Sequence, residues 1–260
     1  MNKAKRSPLK APPLRQAGQS LDEEIQRIWD DETAPYYFTA AMVILLAAYE
    51  WWRWYTNSPP QPWLFTLLAV GFAGFFVRKF LVAKRRIRVL RRARDGERVV
   101  GQFLDDLREK GYRVLHDIVG EGFNIDHLLV GPHGIFTIET KTWSKPVKGE
   151  PKIDYDGEQL SISGLHPDHD PIVQAKAQAK WIKDLVNELT GKSYFVRPVV
   201  VYPGWFINPL PKGMRADVWV LNPKALPAYL ENERNHLGDE EVSSITTHLS
   251  RYVRNGARLS

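Results

Sequence analysis

The stretch from Asn124 to Lys141 constrains the fold more than any other part of the sequence. Two apolar runs are joined by Gly-Pro-His-Gly, a pattern that predicts two antiparallel strands and a tight turn. If the hairpin folds about the middle of its turn, Asp126 lies directly opposite Glu139. Opposed residues of an antiparallel pair carry their side chains on one face, about 5 Å apart at Cβ. Lys141 lies two residues beyond Glu139, so strand alternation places it on that face too.

Two carboxylates and an ammonium group at one end of a hairpin match the needs of a divalent-metal phosphodiesterase. Mg²⁺ held by one or two carboxylates keeps several waters and accepts phosphate oxygens. It also lowers the pKa of a bound water. Each residue has an ordinary alternative: Asp126 as a turn residue at a strand edge, Glu139 as a solvated strand end, and Lys141 as a surface salt-bridge partner.

Two apolar stretches precede this region, residues 36–55 and 63–83. Each is close to the roughly 20 residues that a helix needs to span a bilayer. Tyrosines and tryptophans gather at their ends, and Lys and Arg flank the outer ends of the pair. The pattern predicts a transmembrane helical hairpin with both termini in the cytoplasm. The alternative is a buried helical hairpin in a soluble domain.

The composition divides the chain into four segments. We expect a disordered basic cytoplasmic tail over 1–34, the membrane hairpin over 35–83, a basic juxtamembrane segment over 84–94 and one soluble domain over 95–260. The run 84–94 is expected to bind anionic lipid headgroups, with contact to a nucleic-acid backbone as a secondary role. The absence of cysteine excludes a disulfide framework, a thiolate nucleophile and Cys-ligated zinc.

The soluble part alternates between helical and strand patterns. Apolar spacing predicts a helix that begins at Gly96-Glu97 and ends at Gly111. The later elements are predicted as the two strands of the hairpin 124–141, as further strands at 112–118, 148–155, 159–162, 196–202 and 218–221, and as helices at 172–189, 225–230 and 240–253. This order predicts an α/β fold with a mixed sheet flanked by helices.

At this point the residues resemble a known family. The motifs are Gly96-Glu97, Ile125-Asp126-His127, Gly134-Ile135-Phe136, Ile138-Glu139-Thr140-Lys141 and the later Gln174. Their order and spacing resemble the nuclease-related domain (NERD) family, which is similar to the restriction-endonuclease-like PD-(D/E)xK superfamily. The similarity covers residues 95–233 and implies a restriction-endonuclease-like mixed sheet.

The resemblance also implies roles for individual residues. Asp126 would be the main ligand of Mg²⁺ or Mn²⁺, Glu139 the second ligand, and Glu97 an acidic helix residue that joins them. Lys141 would be the catalytic lysine, and Gln174 the polar helix residue beside the site. The sequence departs from related nucleases at Gln178, where an aromatic residue is often found. A helix-dipole role for Glu97 and a capping or surface role for Gln174 stay open.

Several other polar and aromatic residues have side chains of the types that such a site uses. His127 points away from Asp126 if the strand alternates, and His133 is expected at an exposed turn. The His-Pro-Asp-His-Asp run at 166–170 offers metal-ligand types, but its loop setting and Pro167 argue against a preformed site. Trp143 and Trp205 are expected to pack in or near the core, with base stacking as the alternative.

Together these features predict a membrane-anchored, Mg²⁺-dependent nuclease at the cytoplasmic face of the cell membrane. It would hydrolyse phosphodiester bonds of nucleic acid, with DNA as the expected substrate and membrane lipid as a second partner. The alternative is a non-catalytic, membrane-tethered module that binds nucleic acid or protein on the same fold. A third reading is a structural membrane protein whose soluble domain mediates assembly.

Overall fold

The computed structural model describes residues 13–57, 62–120, 122–143, 152–162, 170–210 and 214–256. The chain forms two compact units. One is an α/β unit, which contains the chain from Ala93 onward together with Gln19 and the described residues before it. The other is a helical unit formed by Ser20–Arg92.

The α/β unit contains two sheets. The strands are β1 Arg113–Val119, β2 Asn124–Gly131, β3 Gly134–Thr140, β4 Lys152–Tyr155, β5 Leu160–Ile162, β6 Val196–Val201, β7 Phe206–Ile207 and β8 Trp219–Leu221. The larger sheet has the order β1-β2-β3-β6-β8, and the smaller one β5-β4-β7. Strands β1, β2 and β3 are antiparallel neighbours, whereas β3, β6 and β8 run parallel.

Helices cover both faces of the larger sheet. The six helices of the described chain are α1 Gln19–Arg27, α2 Ala34–Tyr55, α3 Pro62–Asp105, α4 Pro171–Thr190, α5 Leu226–Glu231 and α6 Asp239–Gly256. Leu128 and Val130 pack with α4 and α6 on one face, while Leu129 packs with the end of α3 and with α5 on the other. This alternation follows from the period of two in a strand. The prediction of a mixed sheet flanked by helices is therefore confirmed.

Helix α3 is longer than the sequence pattern predicted. It runs for 44 residues and includes the basic run 84–94, which the sequence pattern treated as a separate segment. The expected helix start at Gly96-Glu97 lies deep inside it, so Glu97 is not a first-turn residue and the helix-dipole reading does not apply. No proline interrupts the helix after Pro62, and the long basic side chains between 84 and 94 are good helix formers.

The helical unit contains α1, α2 and the first part of α3. Tyr36 packs against Phe76 with ring centroids 5.3 Å apart, and Trp51 Nε1 donates to Thr66 Oγ1 over 3.1 Å. These two contacts lie at opposite ends of α2, so α2 and α3 run antiparallel. Most of the large apolar side chains of both helices are exposed, a surface rare in a water-soluble unit.

The expectation of two membrane spans is confirmed only in part. Within the described residues, one helical stretch is long and apolar enough to cross a membrane. It is Thr66–Lys110, which comprises most of α3 and the short helical turn after it, and its apolar part has a mean hydropathy of 1.7. The apolar stretch expected at 36–55 falls short. Its tyrosines and tryptophans are only weakly hydropathic, and Glu50 and Arg53 form an ion pair of 3.2 Å near its end.

Residues 13–34 were expected to belong to a disordered tail, and the structure orders them instead. Ile25 and Ile28 of the segment pack against Ala83 and Ile87 of α3. The residues before α1 pack on the α/β unit, where Arg15 is buried. Apolar positions at helical spacing and one well-paired arginine supply this order, whereas residues 1–12 lie outside the described part.

Candidate active site

The register of the central hairpin brings the two predicted carboxylates together. Gly131 pairs with Gly134 and His127 with Ile138, so the next positions along this register are Asp126 and Glu139. The backbone N–H of Thr140 donates to Asp126 Oδ2 over 2.7 Å, which ties the start of β2 to the end of β3.

Glu139 is held on both of its oxygens. It is buried at the end of β3, with 4% of its surface exposed. Its Oε1 accepts hydrogen bonds from Lys141 Nζ at 2.7 Å and from Gln174 Nε2 at 2.9 Å. Its Oε2 accepts from Gln178 Nε2 at 2.6 Å. Charge-assisted bonds of this length are strong, so the position of the carboxylate is well fixed.

Lys141 connects the hairpin to helix α4. Its Nζ contacts Glu139 and also donates to Gln174 Oε1 over 2.8 Å, while a quarter of its side chain stays exposed. Its backbone N–H donates to Val201 O over 2.9 Å, which extends the parallel pairing of β3 and β6 by one residue. The ammonium group is thus fixed at the edge of the site rather than free on the surface.

Helix α4 supplies two glutamines to the site. Asp170 caps the helix by accepting from the N–H of Ile172, and Pro171 occupies its first position. Gln174 and Gln178 lie four residues apart and therefore share one face of the helix. Gln178 is 2% exposed and its Nε2 also donates to Asn124 O over 3.0 Å.

Gln178 is the site residue that the sequence reasoning missed. In the sequence it stands out only as a departure from the aromatic residue that related nucleases often have at this position. Its contact with Glu139 instead makes it a second amide donor to the same carboxylate. The four-residue spacing from Gln174 was the signal that could have found it.

Glu97 approaches the site from α3. It is 8% exposed and accepts a hydrogen bond from the backbone N–H of Gly18. The pKa of Glu97 is raised from 4.5 to about 8: burial is the largest cause, the charges of Asp117 and Glu139 add to it, and the Gly18 N–H and the Lys141 charge oppose it.

The three carboxylates influence one another. Burial raises the pKa of Asp126 well above its ordinary value, and the charges of Glu139 and Glu97 add to this effect. The Thr140 N–H and the Lys141 ammonium oppose it. Like charges that are partly removed from water disfavour ionisation unless a cation lies between them. The site is therefore one in which an added cation would be stabilised.

The donor set fits a hard divalent cation. Mg²⁺ and Mn²⁺ prefer oxygen ligands, and Mg²⁺ commonly takes one or two carboxylates and completes its shell with water. Asp126 Oδ1 has no hydrogen-bond partner among the described residues, and the buried Gln178 Oε1 and Thr140 Oγ1 are also unpartnered there. In the described part of the chain no group of three or more His, Cys, Asp or Glu side chains could hold a metal. Asp126 and Glu139 are the two carboxylates that the register of β2 and β3 brings together.

The histidines of the hairpin, His127 and His133, lie outside this cluster. His127 is fully buried on the opposite side from Asp126, where its ring packs edge-on against His116, and burial lowers its pKa. His133 is half-buried rather than exposed. The ring of Tyr112 stacks on the ring of His133, and the Tyr112 hydroxyl forms a hydrogen bond with His133 Nδ1.

The two tryptophans pack against neighbouring side chains. Trp205 is 3% exposed, and Trp143 packs on Tyr202 with centroids 4.9 Å apart. Residues 166–169 of the His-Asp run lie outside the described residues, and Asp170 serves as the cap of α4.

Comparisons with known proteins place the site in a family context. A family model described as nuclease-related domain (NERD) matches residues 92–203. No curated protein matches the chain. The crystal structure of protein VC1899 from Vibrio cholerae is similar at 12% identity, over 93% of this chain and 58% of that chain, with a TM-score of 0.25. The chain thus spans less than two thirds of that protein, and so low a TM-score carries no argument. The family match covers Glu97, Asp126, Glu139, Lys141, Gln174 and Gln178, and residues 92–203 therefore form a nuclease-related domain.

Proposed function

We propose that the protein is a membrane-anchored, Mg²⁺-dependent nuclease that hydrolyses phosphodiester bonds, with DNA as the expected substrate. The observation that carries the proposal is the fixed Glu139 carboxylate beside Asp126, with the Lys141 ammonium 2.7 Å from it. The nuclease-related domain supports a nuclease-related function in general. The metal, the substrate and the membrane anchor belong to the proposal.

In this mechanism Asp126 and Glu139 would hold the metal, with Glu97 as a third acidic ligand. When bound, Mg²⁺ or Mn²⁺ would neutralise phosphate charge and make a water more acidic. Lys141 would orient the attacking water and stabilise the charge that develops on the phosphate. Gln174 and Gln178 would hold Glu139 in place, so that little reorganisation accompanies the reaction.

The membrane anchor rests on the apolar part of α3, residues 63–83, and on the exposed apolar surface of α2 beside it. The basic run 84–94 follows directly in the same helix, where it would contact anionic headgroups. With basic residues on the flanks of the apolar stretches, both termini and the nuclease-related domain would face the cytoplasm.

A cleavage assay on the full chain in detergent tests the proposal. Double-stranded DNA, single-stranded DNA and RNA are each incubated with Mg²⁺, Mn²⁺ or EDTA. We expect cleavage only with metal, and Asp126→Asn and Glu139→Gln should each reduce the rate at least about 100-fold, as loss of a charge-stabilising group does elsewhere. Glu240→Gln, at an exposed position of α6, is the matched control. Undiminished cleavage by both site variants would contradict the proposed site.

A second candidate function is a non-catalytic module that binds nucleic acid or protein. The observation that favours it is that the two oxygens of Glu139 already accept three side-chain hydrogen bonds, of the about four that a carboxylate can accept. This function predicts salt-sensitive DNA binding that EDTA does not change, without cleavage under any metal condition. The same assay separates the two candidates.

A further inference from the structure

The short segment before α1 lies against the site although it is far from it in sequence. Arg15 Nε donates to Asp117 Oδ2 over 2.6 Å, and the two side chains are only 6% and 3% exposed. Leu14, the residue before Arg15, packs against the apolar core that β1, α4 and α6 form together. Three residues later, the N–H of Gly18 donates to the carboxylate of Glu97.

The segment fits closely on α3, and glycines make that fit possible. A Cβ at Gly101 would lie 2.8 Å from the Ala17 Cβ, so only a glycine lets the segment approach the helix there. Gly18 has φ +72, and a Cβ on it would lie 2.8 Å from Arg94 Cγ. The segment therefore contacts α3 closely at two points on either side of Glu97, and at each point a side chain in place of the glycine would prevent the contact.

A chain of polar contacts also leads from Arg15 to the carboxylate at the centre of the site. Asp117, in a left-handed conformation at φ +52, accepts from Asn124 Nδ2 over 3.5 Å. The Asn124 carbonyl oxygen accepts from Gln178, which donates to Glu139 as well. Arg15 is thus connected to the site by two routes, through Gly18 to Glu97 and through Asp117 to Glu139.

A buried ion pair is weak evidence for a gain in stability, because removing two charges from water is costly. Its better-supported effect is to specify a single arrangement, since either partner alone would be a buried charge. Here the arrangement that is specified is the position of Gly18 on Glu97. That position matters only if the site must be held in a defined geometry.

We propose that Arg15 is a positioning residue of the nuclease site: its ion pair with Asp117 fixes residues 14–19 on α3, so that Gly18 holds Glu97 and Asp117 supports the Asn124–Gln178–Glu139 contacts. The inference rests on the proposed function. If Arg15 has this role, the site draws on residues that precede the helical unit in the sequence as well as on residues that follow it. The site is then incomplete without residues 14–19.

The test uses the full chain in detergent with Arg15→Ala, Arg15→Lys and the matched control Arg251→Ala, an exposed arginine of α6. Hydrogen exchange of the peptide that covers residues 14–19 reports docking. Cleavage of DNA in Mg²⁺, resolved into kcat and KM, and Mn²⁺ affinity measured by electron paramagnetic resonance report the site. Thermal unfolding reports the fold.

For Arg15→Ala we expect exchange in 14–19 to rise at least fivefold, Mn²⁺ affinity to fall at least threefold and kcat to fall at least tenfold with KM within twofold. Arg15→Lys, which keeps the charge, should restore at least a third of kcat, and Arg251→Ala should match the wild type.

A docked segment in Arg15→Ala would overturn the proposal, and so would full kcat with the segment undocked. If Arg15→Ala does not fold, Arg15→Lys provides the test. An undocked segment together with full kcat in Arg15→Lys would also overturn the proposal. A wild-type protein that neither cuts nor binds Mn²⁺ would overturn the proposed function and this inference with it.

Discussion

At the scale of single residues, Glu139 is the best-determined part of the site. Its carboxylate accepts from one ammonium group and two amide groups, and it is buried at a strand end. The mirror positions of one hairpin predict the pairing of Asp126 with Glu139, because register follows directly from the turn, and strand alternation adds Lys141 to the same face. The hairpin pattern could not locate Gln178, since its contact depends on how α4 packs on the sheet.

Gln178 should be as important to the site as the residues that the sequence reasoning chose. Gln178→Ala leaves one Glu139 oxygen without its donor and opens a small void, so we expect a loss of about 1–3 kcal/mol in unfolding free energy and a lower cleavage rate. Lys183→Ala, exposed on the same helix, is the control. Denaturant unfolding and the cleavage assay measure the two effects. Equal stability and rate for Gln178→Ala and the control would show that the amide contact is dispensable.

The raised pKa of Glu97 predicts a pH dependence in metal-free protein. Glu97 lies beyond the apolar part of α3, within the α/β unit, and its pKa of about 8 exceeds the ordinary value of 4.5. Between these values the folded chain keeps the proton and the unfolded chain releases it, so stability should fall as pH rises from about 5 to 8. The slope is at most about 1.4 kcal/mol per pH unit for one group.

Glu97→Gln removes this proton linkage and should flatten the pH dependence of the melting temperature, while Glu240→Gln should leave it unchanged. Melting curves between pH 5 and 9, followed by tryptophan fluorescence, make the comparison. Parallel curves for the wild type and Glu97→Gln would mean that Glu97 is ionised normally.

At the scale of elements, the site depends on how closely α3 passes the chain after β3. A Cβ at Gly96 would lie 1.9 Å from Thr142 Cγ2 and 3.3 Å from its Cβ. Glycine is otherwise a poor choice here, because alanine favours a helix by about 1 kcal/mol. The contact places Glu97 one residue from the point of closest approach to the loop that begins with Lys141.

Gly96→Ala should therefore destabilise the protein by about 1–3 kcal/mol despite the better helix propensity, because the added methyl group forces α3 or Thr142 to move. Thr142→Ala removes the atom that clashes, so the double variant Gly96→Ala/Thr142→Ala should regain most of the loss. Unfolding free energies for a double-mutant cycle measure this coupling. Additive effects of the two substitutions would contradict the close contact.

The sequence predicted the type of most elements and the central register, because these are local patterns. It placed a helix start at Gly96 and a separate basic segment before it, whereas α3 continues through both. Nothing in the local pattern distinguishes a helix that starts at Gly96 from one that passes through it, since the glycine is fixed by Thr142, a residue 46 positions later. The order of residues 13–19 likewise depends on the distant Asp117.

At the scale of the whole molecule, the α/β unit is discontinuous in sequence, since it includes residues on both sides of Ser20–Arg92. A fragment that begins at residue 93 would lack Leu14, Arg15 and Gly18. Assays of the α/β unit therefore need the full chain.

The apolar part of α3 and the exposed apolar face of α2 predict tight membrane association. The protein should stay with membranes in 1 M salt and in alkaline carbonate, and leave them only with detergent, because apolar burial does not depend on salt whereas headgroup attraction does. Fractionation followed by immunoblotting checks this. Release by salt alone would reduce the anchor to the basic run 84–94.

We propose that Asp126, Glu139 and Lys141 form a metal-dependent phosphodiesterase site. Its most direct test is single-turnover cleavage of DNA by the full chain over a range of Mg²⁺ concentrations, with Lys141→Ala compared with Lys183→Ala. We expect cleavage by the wild type and by Lys183→Ala that rises with Mg²⁺, and a loss of at least about 100-fold in Lys141→Ala. Full Mg²⁺-dependent cleavage by Lys141→Ala would contradict the proposal.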